Sequence, residues 1–142
     1  MDPTTLIPHR PPFLFVDRLC AYDARGAEAE LDVRAALPLA PDGTFSAFLT
    51  AEALAQTAAA HAGALARDAA TAAGAGAAVG VHRGAFVRLE AYEAPGIARA
   101  GDTLRLVVVL DRAFGSLRRY RGEAWVGGLL VAHGTFTFAA AT

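Results

Sequence analysis

The sequence predicts an α+β fold in which a curved antiparallel sheet wraps one long central helix. Three observations carry this. From Ser46 to about Arg67 the chain is mostly Ala and Leu, with almost no charge between Glu52 and Arg67, so a helix there has to be buried on most faces. Segments of β-like composition lie on both sides of it, two before and up to four after. Gly127-Gly128 tolerates the positive φ angles of a two-residue turn and marks a closing hairpin. At 142 residues and 54% hydrophobic content the chain makes one domain over 1–142, large enough for a core and too short for two.

The elements follow in order. Ile7–Val16 (IPHRPPFLFV) carries three prolines, which fix φ and remove backbone donors, so it reads as an extended lead-in. Strands are expected over Phe15–Ala21 and Ala27–Ala35, joined by the turn DARG at 23–26. Pro38, Pro41 and Asp42-Gly43 then make a loop. Ser46 or Thr50 caps the helix by accepting from unpaired first-turn amides. The Ala/Gly-rich stretch Ala69–Ala78 has little to pack with and reads as a surface loop. Strands close the chain at Ala78–Ala91, Asp102–Ala113, Leu117–Val126 and Leu129–Ala140.

A net charge of −1 argues against a general nucleic-acid binder, which needs a clustered positive excess. Cys20, the single cysteine, cannot form an intrachain disulfide and fits a reducing compartment. The N-terminus shows no basic stretch followed by an apolar run, and no apolar run is long enough to span a bilayer. The expectation is a soluble, cytoplasmic protein without a membrane association. No His, Cys, Asp or Glu spacing resembles a zinc site, so neither a metal nor a cofactor is expected.

PHRPPFLFVDR, at 8–18, resembles the opening motif of the bacterial β-hydroxyacyl-ACP dehydratases. AEALAQTAAAHAG at 51–63 resembles the start of that family's central helix, Ala100-Gly101-Asp102 its PGD turn, and RRYRGEAWVGGLLVAHGTFTF its last hairpin. The resemblance implies a hotdog fold, a homodimer with sheets joined edge to edge, and a substrate tethered to acyl carrier protein or coenzyme A as a thioester. It also implies a reaction, the loss of water from a 3-hydroxyacyl thioester to give the trans-2-enoyl thioester. That reaction needs a base for the C2 proton, an acid for the hydroxyl, and amide donors to polarise the thioester carbonyl.

The sequence departs from the family at one point. The family's catalytic histidine sits in an HFPG segment before the helix, and LPLAPDGTFSAFLT at 37–50 has no histidine. Glu52 matches the family's acidic position. His61 lies nine residues further on, which at ~100° and ~1.5 Å per residue puts it on the opposite helix face about 13 Å away. His9 is therefore the better candidate base. The pattern of an early PH, a helix Glu and Gln and a later His resembles the variant dehydratase-like proteins of aryl-polyene pathways, which fits His9 and His61 together.

The candidate catalytic residues are thus Glu52, His9 and His61, each with a structural alternative. Glu52 is an active-site acid or a first-turn glutamate, His9 a base or an anchor of its segment, and His61 a catalytic group or a satisfied core histidine. Gln56, one turn after Glu52, is a candidate substrate-binding residue that orients Glu52 or bonds across a dimer. Arg83 and Arg88 are candidate substrate-binding residues for a phosphate or an acidic carrier, as are Arg118, Arg119 and Arg121, and a solvated strand face explains them equally. His82 and His133 sit in strand-like segments and carry no assigned role. Three functions remain open: a dehydratase of fatty-acid or polyene synthesis, a non-catalytic partner in a heteromer of hotdog subunits, and an acyl thioesterase.

Overall fold

The computed structural model describes residues 1–74 and 84–140. A short 3-10 turn at Pro3–Thr5 opens the chain. Strands β1 (Arg18–Tyr22), β2 (Gly26–Asp32) and the two-residue β3 (Thr44–Phe45) precede helix α1 (Ala47–Ala72). β4 (Gly84–Glu93), β5 (Ala98–Arg99), β6 (Thr103–Phe114), β7 (Leu117–Val126) and β8 (Leu129–Ala140) follow it. Six strands form one sheet in the order β1-β2-β6-β7-β8-β4, every neighbouring pair antiparallel. β3 and β5 pair separately beside the start of the helix.

The helix begins where the sequence places it. Ser46 is the cap, its Oγ accepting from the Leu49 N–H at 3.1 Å, while Thr50 lies inside and donates its hydroxyl to the Ser46 carbonyl. The helix runs five residues beyond Arg67, to Ala72, so Ala69–Ala72 is helical where a loop is expected. Alanine has the highest helix propensity, and a continuing ladder needs no packing partner for one more turn. Gly74, at φ +79°, follows the end.

From Thr50 to Ala64 almost every residue is buried, and the sheet curves over that stretch. The helix comes close to the sheet at Gly122, where a Cβ would stand 3.0 Å from the Phe136 ring and 3.4 Å from Leu54. Strand alternation supplies the rest of the core, with Leu104, Leu106 and Val108 of β6 and Tyr120 and Ala124 of β7 facing inward.

β7 and β8 match their expected bounds, and Gly127 takes the positive φ, +56°, at their turn. β1 starts three residues later than expected. Phe15 and Val16 are buried, and the Phe15 N–H is taken by a helix side chain and so cannot join a strand ladder. β2 ends at Asp32, β6 is shifted by one residue, and β4 continues two residues past Ala91, whose φ is +49°. The remainder of the expected strand and loop across 75–83 lies outside the described residues. Among the described residues no helix is long and apolar enough to cross a membrane.

Candidate active site

The site is assembled by the N-terminal segment lying against the first turns of α1. Leu6 and Ile7 are buried and anchor the segment. The Arg10 guanidinium then donates to the carbonyls of Thr4, Ile7 and His9 at 3.1, 2.9 and 2.7 Å, folding the segment back on itself around His9. Gln56, fully buried, holds the next stretch. Its Oε1 accepts the Phe15 N–H at 2.7 Å, and its Nε2 donates to the Phe13 carbonyl at 2.9 Å and to Glu52 Oε1 at 3.2 Å. A backbone donor and a backbone acceptor fix which way round the amide sits, and both Nε2 hydrogens are committed.

These anchors bring His9 to Glu52 within one chain. His9 Nε2 stands 3.8 Å from Glu52 Oε1, with the side chains 35% and 39% exposed. At that separation the two groups are within ion-pair range and just beyond a direct hydrogen bond. His9 Nδ1 is buried without a hydrogen-bond partner among the described residues. Phe48, one turn before Glu52 on the same helix face, is 78% exposed, and Phe13, whose carbonyl Gln56 holds, is 66% exposed. The first backbone hydrogen bond of the helix runs from the Thr50 N–H to the Ser46 carbonyl, and the Leu49 N–H is taken by the cap. The Ala47 and Phe48 amides precede both, at the positive end of the helix dipole.

The other candidates are placed elsewhere. His61 is fully buried, with Nε2 2.7 Å from the Asp23 carbonyl and Nδ1 2.9 Å from the Tyr120 hydroxyl. A carbonyl only accepts, so Nε2 carries the hydrogen and Nδ1 accepts from Tyr120. Burial holds the imidazole's pKa below its ordinary value, although the bond to the Asp23 carbonyl opposes this. The geometry is that of a satisfied core histidine, with neither nitrogen facing Glu52. Gln56, expected to bind substrate, has its amide filled by Glu52, Phe13 and Phe15 and acts on the site through them.

Arg88 is exposed on β4 and pairs with Glu90 at 2.6 Å, and the described contacts do not bring it to His9 or Glu52. Arg119 and Arg121 share Asp111, Arg118 turns back to the Gly115 carbonyl, and His133 pairs with Glu93 at 3.3 Å. Arg83 and His82 lie outside the described residues. Among the described residues no three His, Cys, Asp or Glu side chains converge as a metal would require. Two tyrosines near the helix carry no role in the sequence reading. The Tyr92 hydroxyl donates to the Ala47 carbonyl at 2.5 Å and fastens β4 to the start of the helix, and burial pushes its pKa up to about 12. Tyr120, pushed up to about 12 by burial, lies on the inner face of β7. Their inward placement in alternating strands is the signal that could have found them.

A six-stranded antiparallel sheet curved round one buried helix is the hotdog fold. This chain belongs to the ApeP-like dehydratase family, whose pattern, described as ApeP dehydratase, matches residues 1–136. No curated protein sequence matches it. Among solved structures it is similar to a chain of the dehydratase heterocomplex ApeI:P from Xenorhabdus doucetiae, at 15% identity and TM-score 0.85, covering 100% of this chain and 92% of that one. It is also similar to Cj0977, a sigma28-regulated virulence protein from Campylobacter jejuni, at 12% identity and TM-score 0.70, covering 98% and 95%. A hypothetical thioesterase with coenzyme A from Streptococcus pneumoniae is similar at 10% identity and TM-score 0.65, covering 87% and 84%. At these identities the likeness establishes the fold.

Proposed function

We propose that the chain removes water from 3-hydroxyacyl thioesters, carried on acyl carrier protein or coenzyme A, to give trans-2-enoyl thioesters in fatty-acid or polyene synthesis. The observation that carries the reading is the 3.8 Å approach of His9 to Glu52 within one chain, which supplies a base where the loop histidine is missing. His9 takes the C2 proton, and Glu52 gives a proton to the departing hydroxyl, which leaves as water. The Ala47 and Phe48 amides hold the thioester oxygen as charge moves onto it. The working pair therefore carries one proton, on Glu52 before the elimination and on His9 after it.

The exposure of Phe13 and Phe48 beside a half-exposed catalytic pair supports a second subunit that covers the site. The likeness to a chain of the dehydratase heterocomplex ApeI:P supports another hotdog subunit as that cover. The test is Glu52→Gln, made in the chain alone and with the subunit that copurifies with it. The expected result is a fall in enoyl product of at least roughly 10²-fold with the unfolding midpoint unchanged. Product formation that survives the substitution, but only with the partner present, gives the chemistry to the partner and makes this chain the non-catalytic subunit. Free thiol released from acyl-coenzyme A, with no enoyl product, makes it a thioesterase.

A further inference from the structure

Strand β4 breaks its own ladder where it passes the start of α1. Glu90 stands opposite Thr135 of β8 and Glu93 opposite His133, so Ala91 and Tyr92 together face the single residue Gly134. Ala91 takes φ +49°, the one positive value at a non-glycine among the described residues and a conformation that side chains disfavour. Gly134 has to be a glycine beneath it, since a Cβ there would stand 3.0 Å from the Tyr92 ring and 3.2 Å from its Cα. The extra residue turns the Tyr92 ring inward, edge-on to Phe136 at 6.5 Å and 74°, and leaves Glu93 outward on His133. Two exceptional backbone positions thus serve one side chain.

What the bulge delivers is a hydroxyl. Tyr92 donates to the Ala47 carbonyl, and its oxygen also meets the Ala51 N–H, so it is set into the first turn of the helix. Burial pushes the phenol's pKa up to about 12, and it remains a donor at any neutral pH. The Ala47 carbonyl and the Phe48 N–H are the two ends of one planar, conjugated peptide group. A proton donor on the oxygen draws electron density from the nitrogen and makes the N–H at the other end a stronger donor. The Leu49 and Thr50 amides are committed to Ser46, whereas the Phe48 N–H gives its hydrogen to no acceptor among the described residues. Residue 48 precedes Glu52 by four, which at ~100° per residue keeps it on the same side of the helix. The strengthened donor therefore lies one turn from the acid.

We propose that Tyr92 is a positioning residue for the elimination, fixing and polarising through the Ala47 carbonyl the peptide group whose Phe48 N–H meets the thioester oxygen. The inference rests on the dehydratase reading for what lies at that amide. Tyr92 touches no substrate atom itself. Its contribution grows as charge moves onto the thioester oxygen, so it acts on kcat more than on binding.

Infrared difference spectroscopy of the full chain with butyryl-coenzyme A, isotope-labelled at its thioester carbonyl, reads the polarisation without turnover, because a saturated ester cannot be dehydrated. The carbonyl stretch bound to wild type is expected below that of the free ester. Tyr92→Phe keeps the ring and removes the proton donor, so the stretch moves back toward the free value. With a 3-hydroxyacyl ester the same variant is expected to lose about 5- to 10-fold in kcat with KM within about twofold, less than the ~10²-fold of an oxyanion donor lost outright. A tyrosine that only held the fold together would change the folded fraction and leave both the stretch and kcat per folded molecule where they were. Gly134→Ala keeps the hydroxyl but displaces the ring, and it is expected to move the stretch in the same direction, which decides the matter should Tyr92→Phe not fold. A stretch or a kcat unchanged in Tyr92→Phe, or a wild-type bound carbonyl that matches the free ester, overturns the proposal. A stretch that depends on Tyr92 in a protein that gives no enoyl product from any 3-hydroxyacyl ester leaves the polarising role standing and removes the dehydratase reading.

Discussion

Gln56→Leu removes the clamp between the helix and the histidine-bearing segment while keeping most of the side-chain volume. The Phe15 N–H is buried and loses its acceptor, which costs about 1–3 kcal/mol. The Phe13 carbonyl belongs to an exposed residue and is rehydrated, so its lost hydrogen bond costs about 0.5–1 kcal/mol. The bond to the half-exposed Glu52 adds under about 1 kcal/mol, since water replaces it. The expected destabilisation is about 2–4 kcal/mol, read as a shifted urea midpoint with an unchanged slope. Activity is expected to fall further than stability accounts for at saturating folded protein, because the released segment no longer holds His9 against Glu52. Gln56→Glu keeps an acceptor for the Phe15 N–H but sets a buried carboxyl against the Phe13 carbonyl and Glu52, so kcat/KM falls and stability is lost at least as much as in Gln56→Leu. A Gln56→Leu protein within about 0.5 kcal/mol of wild type and with unchanged kcat/KM would refute the reasoning.

His61 makes stability fall with acid. Its folded pKa is lowered by burial from an ordinary 6.5, so the unfolded chain binds the proton first, and its contribution is complete above that value and lost as pH falls below it. The loss is at most about 1.4 kcal/mol per pH unit from this group, and urea midpoints of wild type and His61→Gln measured from pH 7 to 5 should converge as pH falls. Gly26→Ala places a Cβ against the Val108 backbone carbonyl in the β2–β6 ladder, with no flexible side chain to give way. A loss of about 2 kcal/mol or more is expected in thermal or urea unfolding, and a near-neutral variant would show that the ladder opens more easily than the register suggests.

The sheet and helix were legible because their signals are periodic and long. The Gly127-Gly128 hairpin needs two glycines at a tight turn, and the Ala/Leu run needs burial all round, so both could be read from residue types alone. β3 and β5 could not: two residues carry no period, and their pairing depends on where the helix start falls. The boundary of β1 was missed for a related reason. Phe15 looks like a strand residue, yet its N–H is claimed by Gln56, forty-one residues later. Glu52, Gln56 and His9 were found as types, but their meeting depends on Arg10 folding the lead-in back, and no local pattern announces three backbone acceptors for one guanidinium. His61 was ambiguous in sequence because a buried catalytic histidine and a core histidine look alike until the partners of both nitrogens are seen.

The distribution of exposed apolar surface ties the proposed chemistry to assembly. Edge strand β4 presents Phe86 and Val87 at 50% and 55% exposure, and its outer backbone edge has no neighbouring strand among the described residues. Phe13 and Phe48 add apolar surface beside the His9–Glu52 pair. An unprotected hydrophobic edge invites pairing with another strand, and proteins that remain monomeric blunt such edges with charge or cover. Arg88, Glu90 and Glu93 are the charges on this one; Arg88 pairs with Glu90 at 2.6 Å and Glu93 with His133 at 3.3 Å. A subunit that covered this surface would also exclude water from the pair, strengthening each electrostatic interaction on which the elimination depends. On the proposed function, the isolated chain holds its acid and base in place yet leaves them wet, so assembly should raise kcat more than it lowers KM.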